Sequence, residues 1–279
     1  MKKSPGAVPY GSEPRNRPRP PEKCTLTVSI AFSLIIPAYN EAQRLPLFLP
    51  SVRTHLSDHY GGSYEVIVVD DGSTDDTPAV LRELAAHWPQ FKPISHSHNQ
   101  GKGAAVKTGM LAAIGEVLLF ADADGATPIH EEKHLRLAIE AGADIAVGSR
   151  LIESADVRRR RDWSRAITGR LFAKFARLLV PVSVGDTQCG FKMFRSDVAR
   201  RLFGRATETG YLFDLELLKL ADLMGYWVAE VPIAWTEMPD GKLDMRQEWR
   251  NILTGLWRLH QRFRRMTTER GDGEEQPPS

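Results

Sequence analysis

At 279 residues, 42% of them hydrophobic, the chain can bury a full core, which excludes a mostly disordered protein. A net charge of +2 does not by itself indicate nucleic acid or an acidic partner. The cysteines, Cys24 and Cys189, are too few and too far apart for a disulfide framework or a metal box, and they fit a reducing compartment.

Residues 1–30 are rich in Pro, Gly and Arg and lack an apolar h-region, so they are expected to form a disordered basic tail and not a secretory signal. FSLIIPAYNE is then an apolar run ending in a polar loop, and LPLFLPSVRTHLS follows with helical spacing. YEVIVVDDGSTDDT repeats the pattern, and PAVLRELAAHW continues as a helix that Ser73 or Asp75 could cap. FKPISH reads as a short strand, and GAAVKTGMLAAIG as a helix of small residues opening at Gly101 and Gly103. EVLLFADAD is the next strand, HEEKHLRLAIEAG a helix and DIAVGSR a further strand. Residues 158–180 and 246–265 both combine arginines with apolar residues at helical spacing, and 266–279 is polar enough for a second tail. No run approaches the roughly 20 apolar residues of a membrane span, so the chain is not expected to be integral to a bilayer.

Apolar strands alternating with helices predict an α/β fold with a mostly parallel sheet flanked by helices. Ligands bind such sheets beyond the carboxyl ends of the strands, so PAYNE, DDGS, DAD and GSR are expected to converge on one edge. Asp71 to Ser73 also fit an ordinary turn, but Asp70 closes a strand where a carboxylate can accept hydrogen bonds from a base or ribose. Gly101, Lys102 and Gly103 at a helix start suit an anionic phosphate, although neither a GxxxxGK[ST] loop nor a GxGxxG after a strand is present. Asp122 and Asp124 end the most apolar strand one residue apart, and two such carboxylates repel. A hard divalent cation, Mg²⁺ or Mn²⁺, would neutralise them and bridge to a diphosphate. The bland reading of the same pair is a solvated turn.

PAYNE, VVDDGSTDDT, NQGKGAAV, DAD and VGSR, in that order, resemble the inverting GT-A glycosyltransferases that use nucleotide-diphospho-sugars. DTQCGFKMF (186–194), FDLELL (213–218) and VPIAWTEMPDGKL (231–243) resemble the dolichyl-phosphate β-glucosyltransferases, with dolichyl-phosphate mannose synthases as close relatives. The resemblance covers about residues 31–260 and implies a GT-A catalytic domain over 31–245 followed by an amphipathic interface helix over 246–265. It implies that Pro37, Tyr39 and Glu41, with Asp70, line the uridine and ribose pocket, and that Asp71, Gly101 and Lys102 belong to the same nucleotide side. Asp122 and Asp124 would bind metal and diphosphate. Arg150, helped by an arginine of the 158–161 run, would meet an acceptor phosphate. Asp186 would lie near sugar and acceptor as a base or orienting group, with Lys192 close by. Mannose synthases of this type can add a Gln ligand where this chain has Ala126, which leaves the remaining coordination open.

The implied reaction is transfer of glucose from UDP-glucose to a polyprenyl (dolichyl-type) phosphate with inversion. A GDP-mannose donor, a soluble acceptor and a non-catalytic sugar-nucleotide binder are the alternatives. The two basic amphipathic segments, with Trp163, Ile167, Leu171, Phe172 and Phe175 in one and Trp249, Ile252, Leu253, Leu256, Trp257 and Phe263 in the other, suit a bilayer interface. The expected location is therefore the cytoplasmic face of a membrane, peripherally bound. The competing reading is that both helices pack on the domain. No nucleic-acid recognition fold accompanies the charges.

Overall fold

The computed structural model describes residues 30–152, 179–236 and 245–271. The elements are β1 (Phe32–Ala38), α1 (Leu45–Tyr60), β2 (Tyr64–Asp70), α2 (Thr77–His87), β3 (Phe91–Ser95), α3 (Lys102–Ala112) and β4 (Val117–Ala121). After a 3₁₀ turn come α4 (Glu132–Glu140), β5 (Ile145–Ser149), β6 (Phe191–Arg195), α5 (Ser196–Arg205), α6 (Phe213–Met224), β7 (Val228–Pro232) and α7 (Met245–Gly271).

The strands form a seven-stranded sheet in the order β3-β2-β1-β4-β6-β5-β7. Only β6 runs against its neighbours β4 and β5, so the predicted mostly parallel α/β sheet is present. Alternate side chains feed two cores. Ile35, Ile67, Val69, Leu118 and Phe120 pack against α3, α5, α6 and α7. Leu34, Ile36, Val66, Val68 and Leu119 pack against α1, α2 and α4. Burial on both faces explains why β2 is apolar apart from Glu65 and the terminal Asp70; the Glu65 carboxylate is satisfied by Ser33 Oγ (2.6 Å), Lys92 Nζ (2.7 Å) and Ile114 N–H (2.7 Å).

The small residues of α3 let it lie close to the sheet: a Cβ on Gly109 would stand 2.5 Å from Ile35 Cγ2. Asp75, not Ser73, serves the start of α2, accepting the Thr77 N–H at 2.9 Å, whereas Ser73 Oγ accepts the Asn40 N–H at 2.8 Å. The carboxyl ends of β1, β2, β4 and β5 share one edge, and antiparallel β6 begins there. That edge gathers the loops after Ala38, Asp70, Ala121 and Ser149 with the segment before Phe191.

The C-terminal helix departs from expectation in two respects. It continues as helix to Gly271, past residue 266 where composition predicts a tail. Its apolar face is also divided. Leu256, Leu259 and Phe263 are buried in the core with Leu212 and Phe213, whereas Leu253 and Trp257 are exposed. At about 2 kcal/mol for each buried side chain, those contacts hold α7 to the domain as a packed element. The side chains of Trp249 and Ile252, and the whole segment 153–178 with its arginine run, lie outside what the structure describes. Among the described residues no helix is long and apolar enough to cross a membrane.

Candidate active site

The strand-end edge carries a cleft of about 730 Å³, a volume suited to a nucleotide-sized ligand. Pro37, Tyr39, Glu41 and Arg44 line one side, Gly101 and Lys102 lie at the start of α3, and Asp122 and Asp124 follow β4. Residues 208–212, with Thr254 and Arg258 of α7, form the opposite wall. The wall presses on α3: a Cβ on Gly103 would stand 2.8 Å from Glu208 O and 2.7 Å from Phe213 Cβ. The glycine therefore permits close approach of wall and helix.

Asp122 leaves the sheet with its N–H bonded to Gly190 O at 3.0 Å. Its Oδ1 is buried and makes no geometrically sound hydrogen bond, yet Lys102 Nζ stands 2.6 Å away as an ion-pair partner. Burial opposes charge on Lys102, but the carboxylates of Asp122, Asp214 and Asp124 outweigh it and hold the ammonium protonated. Asp124 Oδ1 accepts the Ala126 N–H at 3.0 Å, and burial followed by repulsion from Asp122 raises the Asp124 pKa. The cation beside the paired aspartates is thus a lysine.

A poorly satisfied buried oxygen and a carboxylate disfavoured as an anion fit a divalent ion. Among the described residues no group of three or more His, Cys, Asp and Glu side chains forms a metal cage. Ala126 offers no side-chain ligand, and its carbonyl accepts the Thr236 N–H at 2.9 Å. Two carboxylates completed by phosphate and water are a usual Mg²⁺ arrangement. If Lys102 competes with metal for Asp122, Lys102→Met should tighten Mn²⁺ binding in the absence of nucleotide. The expected gain is about fivefold, matching the ~1 kcal/mol of a partly exposed ion pair. Electron paramagnetic resonance of free Mn²⁺ reads this directly, and weaker binding by the variant would contradict it.

On the far side of the aspartates lies a second cavity of about 90 Å³, whose lining includes Asp122, Asp124, Ala126, Thr127, Arg150, Cys189 and Trp235. Arg150 is held as a fork: Nε and Nη2 each donate to Asp186 at 2.8 Å, the Arg150 backbone N–H donates at 3.0 Å, and the guanidinium lies over Trp235. Burial pushes the Asp186 pKa up, but Arg150 outweighs it and the net direction is down. Glu230 of β7 anchors the segment, accepting the N–H groups of Gly185 (2.8 Å) and Asp186 (2.9 Å). Burial pushes the Cys189 thiol up to about 12, which leaves it protonated and a poor nucleophile.

The cleft therefore brings together Pro37, Tyr39, Glu41, Asp71, Gly101, Lys102, Asp122 and Asp124. Asp71 also ties loops, its carboxylate accepting the N–H groups of Gln100 (2.9 Å) and Gly101 (2.8 Å) and pairing with His96 Nδ1 (2.8 Å). Two expected residues are placed elsewhere. Asp70 is buried and accepts the Ser73 N–H at 3.0 Å, a turn-forming role away from the cleft lining. Lys192 is fully buried, bonded to Asp214 at 2.6 Å and to Cys189 O, so its ammonium is neutralised beneath the site and lines neither cavity. Arg44, the 208–212 wall, Thr254 and Arg258 were not anticipated. They sit on two loops and on α7, whose approach to one another depends on tertiary packing.

Comparison with known proteins agrees with this architecture. The family described as glycosyl transferase family 2 matches residues 33–203. A dolichyl-phosphate beta-glucosyltransferase of Drosophila melanogaster is 38% identical over 254 residues, covering 83% of this chain and 78% of its own. The Homo sapiens protein of that name is 32% identical, covering 82% and 78%. Among solved structures, glucosyl-3-phosphoglycerate synthase from Mycobacterium tuberculosis, in complex with Mn²⁺, UDP and phosphoglyceric acid, superposes with a TM-score of 0.62 at 19% identity. The match covers 86% of this chain and 84% of that one, and at such identity it speaks for the fold. The chain is a glycosyltransferase of GT-A fold, belonging to glycosyl transferase family 2 and, within it, to the family of the dolichyl-phosphate β-glucosyltransferases.

Proposed function

We propose that the enzyme moves glucose from UDP-glucose to a polyprenyl (dolichyl-type) phosphate, inverting the anomeric carbon from α to β. The observation that carries the reading is the position of Asp122 and Asp124 between a nucleotide-sized cleft and a small cavity lined by Arg150. The names of the Drosophila and human relatives support the choice of sugar and acceptor.

In this reading the donor lies in the large cleft, with Pro37, Tyr39 and Glu41 toward the nucleoside and Lys102 toward the diphosphate. The acceptor phosphate enters the small cavity against Arg150. A phosphate oxygen forms the new bond to the anomeric carbon as the bond to the UDP oxygen breaks on the opposite face. A Mg²⁺ or Mn²⁺ ion held by Asp122 and Asp124 would supply charge stabilisation for the departing diphosphate. Lys102 adds positive charge on the same side, and Asp186 holds Arg150 in plane. An ionised phosphate acceptor has little proton to lose, so positioning and electrostatics carry the rate.

The proposal includes peripheral binding at the cytoplasmic face of a membrane. Leu253 and Trp257 are exposed on α7, next to cleft-lining Thr254 and Arg258, which would bring a bilayer surface close to the site. Purified protein incubated with polyprenyl phosphate, Mn²⁺ and either UDP-glucose or GDP-mannose should transfer glucose, and EDTA should stop it. Undiminished transfer in EDTA would overturn the metal assignment, and use of GDP-mannose alone would overturn the donor. Failure to float with anionic liposomes would overturn the membrane contact.

A further inference from the structure

The FDLELL segment carries two acids that the proposed reaction does not use. Asp214 neutralises Lys192 beneath the site. Glu216, with none of its surface exposed, accepts the Thr207 N–H (2.9 Å), the Thr207 hydroxyl (2.9 Å) and the Glu208 N–H (2.8 Å), and it is also paired with the guanidinium of Arg262 on α7. Arg262 donates in turn to Thr207 Oγ1 at 2.7 Å and to Arg205 O at 2.9 Å.

We infer that Glu216 and Arg262 are positioning residues: they clamp the root of the 208–212 wall to α7 and so set the width of the donor cleft. The inference rests on the donor lying in that cleft. The clamp grips the backbone at 207 and 208, where the wall begins. Thr209 O accepts the Ala104 N–H at 3.1 Å, joining the same wall to the first turn of α3, where Lys102 stands. A displacement at Thr207 therefore changes the space between Lys102 and the wall.

Anchorage of α7 alone is a weaker explanation. Leu256, Leu259 and Phe263 already bury the helix against the core. The Arg262 contacts are instead directed to the loop root and to a carboxylate that also holds the loop root. A carboxylate buried to this extent also requires its cationic partner, because an unpaired buried charge is strongly disfavoured.

The test compares the full chain with its Arg262→Leu and Arg262→Lys variants. Three readings are taken: calorimetric binding of UDP with Mn²⁺, KM and kcat for UDP-glucose, and melting temperature. The Arg262→Leu variant is expected to raise both the UDP Kd and the donor KM about tenfold, the scale of a lost charge-assisted hydrogen bond, with kcat within about twofold. The Arg262→Lys variant, which keeps the charge but not the fork, should recover part of the loss. A lowered melting temperature and kcat with unchanged Kd and KM would overturn the inference, marking the clamp as structural only. If Arg262→Leu fails to fold, Thr207→Val, which removes the hydroxyl's two hydrogen bonds, to Glu216 and from Arg262, and keeps the ion pair, must raise Kd and KM in the same direction or the inference falls. A wild type that does not bind UDP would overturn the donor placement itself and the inference with it. That result differs from a wild type and variants that bind equally, which overturns the inference alone.

Discussion

Asp124→Asn is expected to lower turnover by about 10²–10³-fold, the range seen when charge stabilisation of a transition state is removed, while leaving the metal-free protein as stable or more so. The two effects share one cause. Asp124 is buried beside Asp122, and both conditions raise its pKa. A carboxyl whose folded pKa lies above its unfolded value gains stability on protonation. Its contribution is fully present below the unfolded pKa and is lost as pH rises through the folded one. At neutral pH the ionised Asp124 is therefore a cost in the metal-free fold, and an amide removes it. Initial rates with saturating Mn²⁺ and thermal melts in EDTA check both halves. A variant that melts well below wild type in EDTA would show that Asp124 holds the fold, and turnover within tenfold of wild type would remove it from the metal site.

The sheet was legible because its strands are buried on both faces and read as continuous apolar runs, so β1, β2, β4 and β5 could be placed with the loops that follow them. The convergence of PAYNE, DDGS, DAD and GSR on one edge then followed from parallel topology, although within DDGS it is Asp71 and not Asp70 that lines the cleft. Lys192 marks the limit of that legibility. Its place in DTQCGFK suggested a cation near the acceptor, but residue 192 lies inside β6, fully buried and paired with Asp214, 22 residues away in sequence. A lysine interior to a strand cannot be assigned a direction until its partner is known. The reverse holds for Lys102, read as a phosphate ligand: it does line the cleft, but its ion pair with Asp122 joins two segments that spacing in the sequence does not bring together. The α7 face illustrates a third limit. Helical spacing identifies Leu253, Leu256, Trp257 and Phe263 as apolar but does not divide them between core and surface, and the core takes Leu256 and Phe263.

Arg150 and Asp186 present the second large effect, and the two substitutions should differ. Arg150→Leu leaves Asp186 buried without its fork. It is expected to cost about 3 kcal/mol of stability, the lower end for breaking a buried pair, and to abolish acceptor use. Asp186→Asn keeps an acceptor for Arg150, so the expected stability loss is smaller. Its effect on rate separates the two roles left open for Asp186. A general base contributes about 10²–10⁴-fold, whereas loss of an orienting group that leaves Arg150 in place should cost about tenfold. The fork holds the Asp186 pKa below its ordinary value despite burial, which makes the carboxylate a weak proton acceptor and favours orientation. The sign follows for stability as well. A depressed folded pKa contributes stability above the unfolded value and loses it as pH falls through the folded one, so the wild type should show an acid-unfolding component below about pH 4 that Asp186→Asn lacks. The acid limb of kcat/KM for the acceptor should instead lie near the second ionisation of the phosphate, about pH 6, and should stay there in Asp186→Asn. A limb that moves or vanishes in that variant would identify Asp186 as the base, and the acceptor phosphate would then arrive protonated.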